Sequence, residues 1–311
     1  MLRFDRTLRR VKNIRKRDAS AELYDSPVRR ASKHSEFPAE CIVFSKDRAF
    51  QLHALLSSCT EMVTPGIPIH VLYHTSAHTH RQAYDEVIKI FLDNSNISFT
   101  KQHSDTSFRH DLMLLLRSVE SENIFFLVDD VVFIEEFDIK DFSQFNTDTF
   151  VPTLRMGLNL TDCYTLREKQ PLPVFTPGII KDKDKITWHW HRGSCDWAYP
   201  VSLDGHLFST REITTMIQSI DFSAPNTLED RLQKFRRFFL SRMGVGYKKS
   251  KIVNIPCNKV QTENKNLCGD IHQDYLLEQW NRGLQMDYRS LYGFYNVSAH
   301  QEIPFKYKKR S

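Results

Sequence analysis

The stretch Asn123-Ile-Phe-Phe-Leu-Val-Asp-Asp-Val-Val-Phe133 limits the folds open to this chain more than any other. Five apolar residues, Ile124 to Val128, run directly into two adjacent acids, Asp129 and Asp130, and three more apolar residues follow. A short unbroken apolar run of this kind reads as a strand buried on both faces, which is what a parallel sheet uses. In open α/β sheets, ligands gather outside the carboxyl ends of the strands, and the two acids stand at such an end. Adjacent carboxylates repel each other unless a cation or hydrogen-bond donors compensate. Hard divalent cations such as Mg²⁺ or Mn²⁺ take carboxylate oxygens, usually one or two, together with substrate phosphates. The stretch therefore reads as a metal–diphosphate site at a strand end. The competing reading is a strand followed by a solvated acidic turn.

The residues before it supply the rest of a parallel sheet. Cys41 to Phe44 reads as a first buried strand, Ser45-Lys-Asp-Arg48 as a polar turn, and Ala49 to Cys59 as a helix with Leu52, Leu55 and Leu56 on one face. Asp47 suits the N-cap of that helix, and Ser45, Asp47 and Arg48 equally suit contact with a nucleotide at the strand end. Ile67–Tyr73 and Ile97–Lys101 read as strands. His78–Leu92 and Phe108–Val119 read as amphipathic helices. Residues 40–133 thus spell βαβαβαβ, a parallel sheet with right-handed crossovers. Neither the GxGxxG dinucleotide fingerprint nor the GxxxxGK[ST] phosphate loop is present.

Charge matters here by location. Of the net +5, residues 1–33 hold a surplus of 7 and residues 306–310 a surplus of 4, which leaves the body between them at −6. A nucleic-acid binder carries its basic patch on the folded body, so no nucleic acid is expected as a partner. Residues 1–37 place Leu2, Phe4, Leu8, Val11 and Ile14 among arginines and lysines at helical spacing, a pattern that suits peripheral contact with an anionic membrane surface. The competing reading is a solvated tail. No apolar run reaches the ~20 residues of a membrane span, no apolar signal core opens the chain, and the six scattered cysteines read as free thiols. A cytoplasmic location follows as an expectation, peripheral at the inner face of a membrane if the basic segment makes its contact.

The second half changes character. Phe150–Arg155 and Ile186–His191 read as strands around a polar insertion at 159–185. Ser209 or Thr210 caps a helix through Ile217. Pro225-Asn-Thr-Leu-Glu-Asp230 opens a helix expected to run to Leu240, with Asn226 or Thr227 as cap and acids in its first turn. The organisation expected is a basic segment and linker over 1–37, a first half over 38–150, and a second half over 151–311 with a basic tail.

Ile42-Val-Phe-Ser-Lys-Asp-Arg48, Phe108-Arg-His-Asp111, Phe126-Leu-Val-Asp-Asp130, Ser202-Leu-Asp-Gly205 and Pro225-Asn-Thr-Leu-Glu229 together resemble the GT-A glycosyltransferases, closest to family-2-like bacterial or viral members that act on surface glycans. The resemblance spans about residues 40–302 and rests on the order and spacing of the pieces. It implies an α/β, GT-A-like fold: a Rossmann-like, mostly parallel sheet in a nucleotide-sugar-binding half over 38–150, with a fused acceptor-binding and catalytic half over 151–311. The activity it implies is metal-dependent transfer of a sugar from a UDP- or GDP-type donor to a glycan or lipid-linked acceptor, with inversion. Ser45, Asp47, Arg48 and Arg109 would then hold the nucleotide. Asp129 would meet the ribose or the metal, and Asp130 and His300 the Mn²⁺ or Mg²⁺. Glu229 would act as general base, with Asp204 and Asp230 in reserve. Val128 stands where the family's Asp-x-Asp motif has its first acid, so the division of labour between Asp129 and Asp130 departs from the pattern. Arg109 also reads as an exposed helix-start arginine, Glu229 as a dipole partner, and His300 as a packed histidine.

Two other functions compete. A sugar-nucleotidyltransferase shares the α/β start and the acids but carries a glycine-rich loop after its first strand, and Ser45–Arg48 has no glycine. A non-catalytic GT-A-fold scaffold would have no need of the acids.

Overall fold

A computed structural model of the chain describes residues 35–103, 105–257, 269 and 271–310. The basic helix expected within residues 1–37 lies outside these, and of the linker that follows it in that segment residues 35–37 are described. From Ser35 onward the described residues belong to one compact unit.

Four parallel strands carry the first half: β1 (Glu40–Lys46), β2 (Ile69–His74), β3 (Ile97–Lys101) and β4 (Asn123–Val128). They alternate with helices α1 (Ala49–Met62), α2 (His78–Ile90) and α3 (Phe108–Ser118). The sheet order is β4-β1-β2-β3, with the register Cys41↔Ile69 on one side of β1 and Cys41↔Phe125 on the other. Side chains alternate across a strand, and the two cores follow that period. Cys41, Val43, Phe125 and Leu127 pack with α1 and α2, while Ile42, Phe44, Ile124 and Phe126 pack with α3 and the second half. A strand buried on both faces has no room for polar residues, which is why the run at 124–128 is unbroken.

The expected α/β architecture with a mostly parallel sheet is what the structure has. The chain leaves the sheet at the acids. After Asp129 and Asp130 turn, β5 (Val131–Phe133) departs to pair antiparallel with a late strand, β10 (Ile252–Asn254). Between them lie β6 (Phe150–Gly157), β7 (Lys185–His189), β8 (Leu207–Ser209), α4 (Thr210–Gln218), α5 (Pro225–Leu232), α6 (Arg236–Phe239) and β9 (Met243–Tyr247). Strand β8 joins the edge of the main sheet antiparallel to β4, and β7-β9-β6 forms a second small sheet.

Three expectations need correction. The expected long helix over 225–240 is three pieces, since a 3-10 turn at Gln233–Phe235 separates α5 from α6. Its N-cap position is Ala224, and Thr227 works backwards: its Oγ1 accepts the Ser223 and Ala224 amides at 2.9 Å each. Glu229 therefore lies beyond the first turn. The basic residues at 306–310 are not a free tail. After α7 (Gln273–Asn281), β11 (Leu284–Met286) pairs with β12 (Tyr307–Lys309). The Arg310 guanidinium then stacks 3.6 Å over Trp280 and pairs with Glu86. Trp188, Trp190 and Trp197 are all fully buried core residues, with Trp188 edge-on to both neighbours.

Candidate active site

At the carboxyl end of β4, the Asp129–Asp130 pair is met by donors from the end of β1 and the turn after it. Asp129 Oδ2 accepts from Ser45 Oγ at 2.8 Å and from the Lys46 amide at 3.1 Å, and Oδ1 accepts from Arg48 Nη1 at 2.9 Å. The same Nη1 reaches Asp130 Oδ2 at 3.0 Å. Since the Ser45 proton goes to Asp129, the Tyr84 phenol at 2.5 Å donates to Ser45, and it accepts the Arg48 amide at 3.1 Å. The repulsion between the two acids is thus answered by a guanidinium, a hydroxyl and an amide. Asp129 is fully occupied by these partners. Asp130 is not: its Oδ1 is buried without a hydrogen-bond partner. Burial is the main cause that pushes the Asp130 carboxyl up to about 6, with Arg48 opposing it and Asp129 and Asp204 adding to it.

Backbone pairing brings three distant segments to this point. The Ile255 amide donates to the Asp130 carbonyl at 2.8 Å, and the Asn254 amide donates to Ala299 O at 3.0 Å. His300 therefore sits one backbone pairing away from β10, itself beside β5. From the other side, the Gly205 amide donates to Phe126 O at 2.8 Å. Gly205 has φ +71°, a left-handed conformation, and a Cβ there would lie 3.1 Å from Leu154 Cβ and 2.9 Å from Ile252 Cδ1. Only glycine makes that turn without strain, and the turn delivers Asp204. His300 Nε2 and Asp204 Oδ2 are 3.1 Å apart, and Asn254 Nδ2 approaches the same oxygen at 3.4 Å. Burial pushes the Asp204 carboxyl up, but the bond from His300 together with the charges of His300 and Arg155 holds it below its ordinary range. His300 is correspondingly raised: burial and Arg155 push it down, and the Asp204 bond together with the Asp204 and Asp196 charges overcomes them.

Glu229 faces the same cluster from α5. Ser202 Oγ is the hub: it accepts from Arg155 Nη1 at 2.9 Å and from the Asp204 amide at 3.2 Å, and it donates to Glu229. The Tyr199 phenol also bonds Glu229. Arg155 is buried in β6, bonded to Asp196 at 2.5 Å and 3.9 Å from Asp204. Burial and the Asp204 charge push the Glu229 carboxyl up to about 7, against Arg155 and His300. The helix dipole, which the sequence suggests would hold Glu229 ionised, does not govern it, because Glu229 is past the first turn. Two carboxylates whose environments push them apart in opposite directions are a general mark of acid–base work.

The remaining candidates separate. Asp47 does not cap α1. It adopts φ +54°, and its Oδ1 accepts the Ser76 amide at 2.7 Å, which ties the turn after β1 to the turn after β2. Arg109 is engaged at the end of α4, where its guanidinium donates to Gln218 O at 2.9 Å and Ile220 O at 3.0 Å. Asp230 is well exposed beside Arg231. His206 is buried, with Nδ1 at 3.1 Å from Pro200 O. Among the described residues, no three His, Cys, Asp or Glu side chains converge as a ligand set for a metal ion. Asp129 offers no oxygen that lacks a partner, and His300 turns Nε2 to Asp204. Asp130 Oδ1 is the atom that fits a divalent cation, with substrate phosphates completing the shell.

Tyr84, Arg155, Tyr199 and Ser202 were not singled out as site residues from the sequence. An arginine inside an otherwise buried strand was the legible sign of Arg155, because a buried cation needs carboxylate partners.

Comparison with known proteins places this geometry in context. No family model matches the chain. It is 26% identical over 204 residues to the bifunctional glycosyltransferase pgtA of Dictyostelium discoideum, a stretch that is 60% of this chain and 26% of that protein. The chain thus spans about a quarter of the length of that relative. Among solved structures it is similar to S. aureus TarS 1-349 in complex with UDP-GlcNAc, at TM-score 0.45 and 13% identity over 70% of this chain and 58% of that one. It is also similar to 4-diphosphocytidyl-2C-methyl-D-erythritol synthase from Anaerococcus prevotii, at TM-score 0.39 and 9% identity over 79% and 97%. The curated relative is a glycosyltransferase, the activity that the sequence resemblance implies.

Proposed function

We propose that the chain is a GT-A-type glycosyltransferase that moves a sugar from a nucleoside-diphosphate donor to a hydroxyl of a glycan or lipid-linked acceptor, with inversion. The observation that carries this reading is the gathering of Asp130, Asp204, His300 and Glu229 at the end of β4, with Glu229 raised to about 7 and Asp204 held low. The similarity to a curated glycosyltransferase supports it.

In this reading Glu229 accepts the proton of the acceptor hydroxyl. Its raised pKa gives it basicity near neutral pH, where a general base is most useful. The hydroxyl oxygen bonds to the anomeric carbon as the bond to the diphosphate oxygen breaks, and the electron pair leaves with the phosphate. Tyr199 and Ser202 fix the Glu229 carboxylate, and the His300–Asp204 pair supplies charge beside it. The turn Ser45–Arg48 and Asp129 hold the nucleoside, with Arg48 as the fixed cation of that subsite. Asp130 is the residue that would hold Mn²⁺ or Mg²⁺, which when bound compensates the charge of the departing diphosphate. Contact of residues 1–37 with anionic membranes is part of the same reading, and the vesicle comparison described below tests it when a chain lacking them is included.

The test is the anomeric configuration of the first-formed product, read by proton NMR with a UDP- or GDP-sugar of known anomer. Inversion is the expected outcome. Retention would remove Glu229 as base.

A further inference from the structure

The run from Arg231 to Arg237 is the most concentrated cationic surface on a body whose charge between its basic ends is −6. It places Arg231, Lys234, Arg236 and Arg237 within seven residues, all exposed, and no acid occurs from 231 to 241. Among the described residues the ion pair this run makes is a loose one, Arg231 to Asp230 at 4.0 Å. Phe235 and Phe238 stand half-buried between the cations, with ring centroids 6.5 Å apart. A solvated helix face mixes its signs, and this one does not.

The run is also physically continuous with the site. Gln233 Nε2 donates to Val201 O at 2.7 Å and Glu229 O at 3.1 Å. Arg236 donates to Ala198 O at 2.9 Å through Nη2 and 3.2 Å through Nε. Ala198 precedes Tyr199, which bonds Glu229. A ligand lying along 231–237 would therefore have one end at Glu229.

We propose that this face binds an anionic acceptor, a glycan chain carrying carboxylate or phosphate groups along its length, and leads its terminal hydroxyl to Glu229. The proposal rests on the glycosyltransferase reading for the word acceptor, but not for the binding itself. Charge complementarity selects an anion. A polymer is favoured over a membrane because the aromatic rings are not free to insert: they pack against the core, and the Arg237 guanidinium lies 4.9 Å over the Phe238 ring. Exposed cations acting together in this way set the association rate and its salt dependence.

The experiment compares the full chain with a variant carrying Arg231→Gln, Lys234→Gln and Arg237→Gln. These positions are exposed, so a thermal melt should show the variant folded. The probes are polygalacturonate as an anionic glycan, dextran as a neutral one, and phosphatidylserine/phosphatidylcholine vesicles. The expected result is polygalacturonate binding about tenfold weaker or more in the variant at low salt, with a flatter salt dependence, and no dextran binding by either protein. Equal polygalacturonate affinity in the two proteins, or none in the parent chain, overturns the proposal. So does a larger loss on vesicles than on polygalacturonate, which would make the surface a membrane contact. Because binding is read without turnover, failure of the transferase reading leaves this result interpretable. Should the triple variant melt early, Lys234→Gln alone gives the same comparison.

Discussion

Glu229 carries two opposing demands. Burial beside the Asp204 charge raises its carboxyl to about 7, so its ionised form is the less favoured one. The sign for stability follows. Between the ordinary glutamate pKa and about 7, the unfolded chain has already released the proton that the folded one keeps, so folding loses stability as pH rises across that window. The sign for catalysis is opposite, because the base works only when ionised. Glu229→Gln should therefore cut transfer by about 10²–10⁴-fold, the range for a lost positioned base, with donor affinity nearly unchanged. At pH 8 it should melt no lower than the parent, and higher if relief of the buried charge dominates. Parent activity should fall with acidification through pH 7. Steady-state kinetics and thermal melts from pH 6 to 9 check both. A variant with normal transfer would make Glu229 structural. The residue scale is also where the sequence was least legible. Glu229 and Asp130 could be nominated from a strand end and a helix start. The Ser202 hub and the Arg155–Asp196 pair could not, because they arise from contacts across 40 and more positions.

At the scale of elements, the site depends on three short connections more than on any helix: the turn after β1, the break at Asp129–Asp130 and the Asp204–Gly205 turn. Gly205 tests the last. Its φ of +71° is costly for a residue with a Cβ, and the added atom would press on Leu154 and Ile252. Gly205→Ala should destabilise by about 1–3 kcal/mol from strain and overpacking together, read by chemical denaturation. It should also lower transfer, since the turn carries Asp204. Loss of stability without loss of activity in the folded fraction would separate the turn from the site. The regular elements were legible because their periods are local. The βαβ alternation from 40 to 133 follows from apolar runs and helical faces. The split of 225–240 into three pieces escaped because nothing local breaks it: Gln233 turns inward to Val201 O instead. The fate of 306–310 escaped for the same reason, since a basic end reads as solvated until Trp280 and Glu86 are placed beside it.

For the whole molecule, the two halves meet at one edge. Strand β8 lies against β4, and β10 lies against β5, so the acids at 129–130 are bracketed by segments from late in the chain. No helix among the described residues is long and apolar enough to cross a membrane, and the reactive cluster is built entirely within this one compact body. The central claim is that the cluster discharges a nucleotide sugar. Its most direct test is release of nucleoside diphosphate from a panel of UDP- and GDP-sugars, with Mn²⁺ or with chelator, by the parent chain and by Asp130→Ala. The account predicts release from at least one donor, lost on chelation and lost in the variant while its fold persists. Release that is equal in parent and variant, or absent for every donor with folded parent protein, would contradict it.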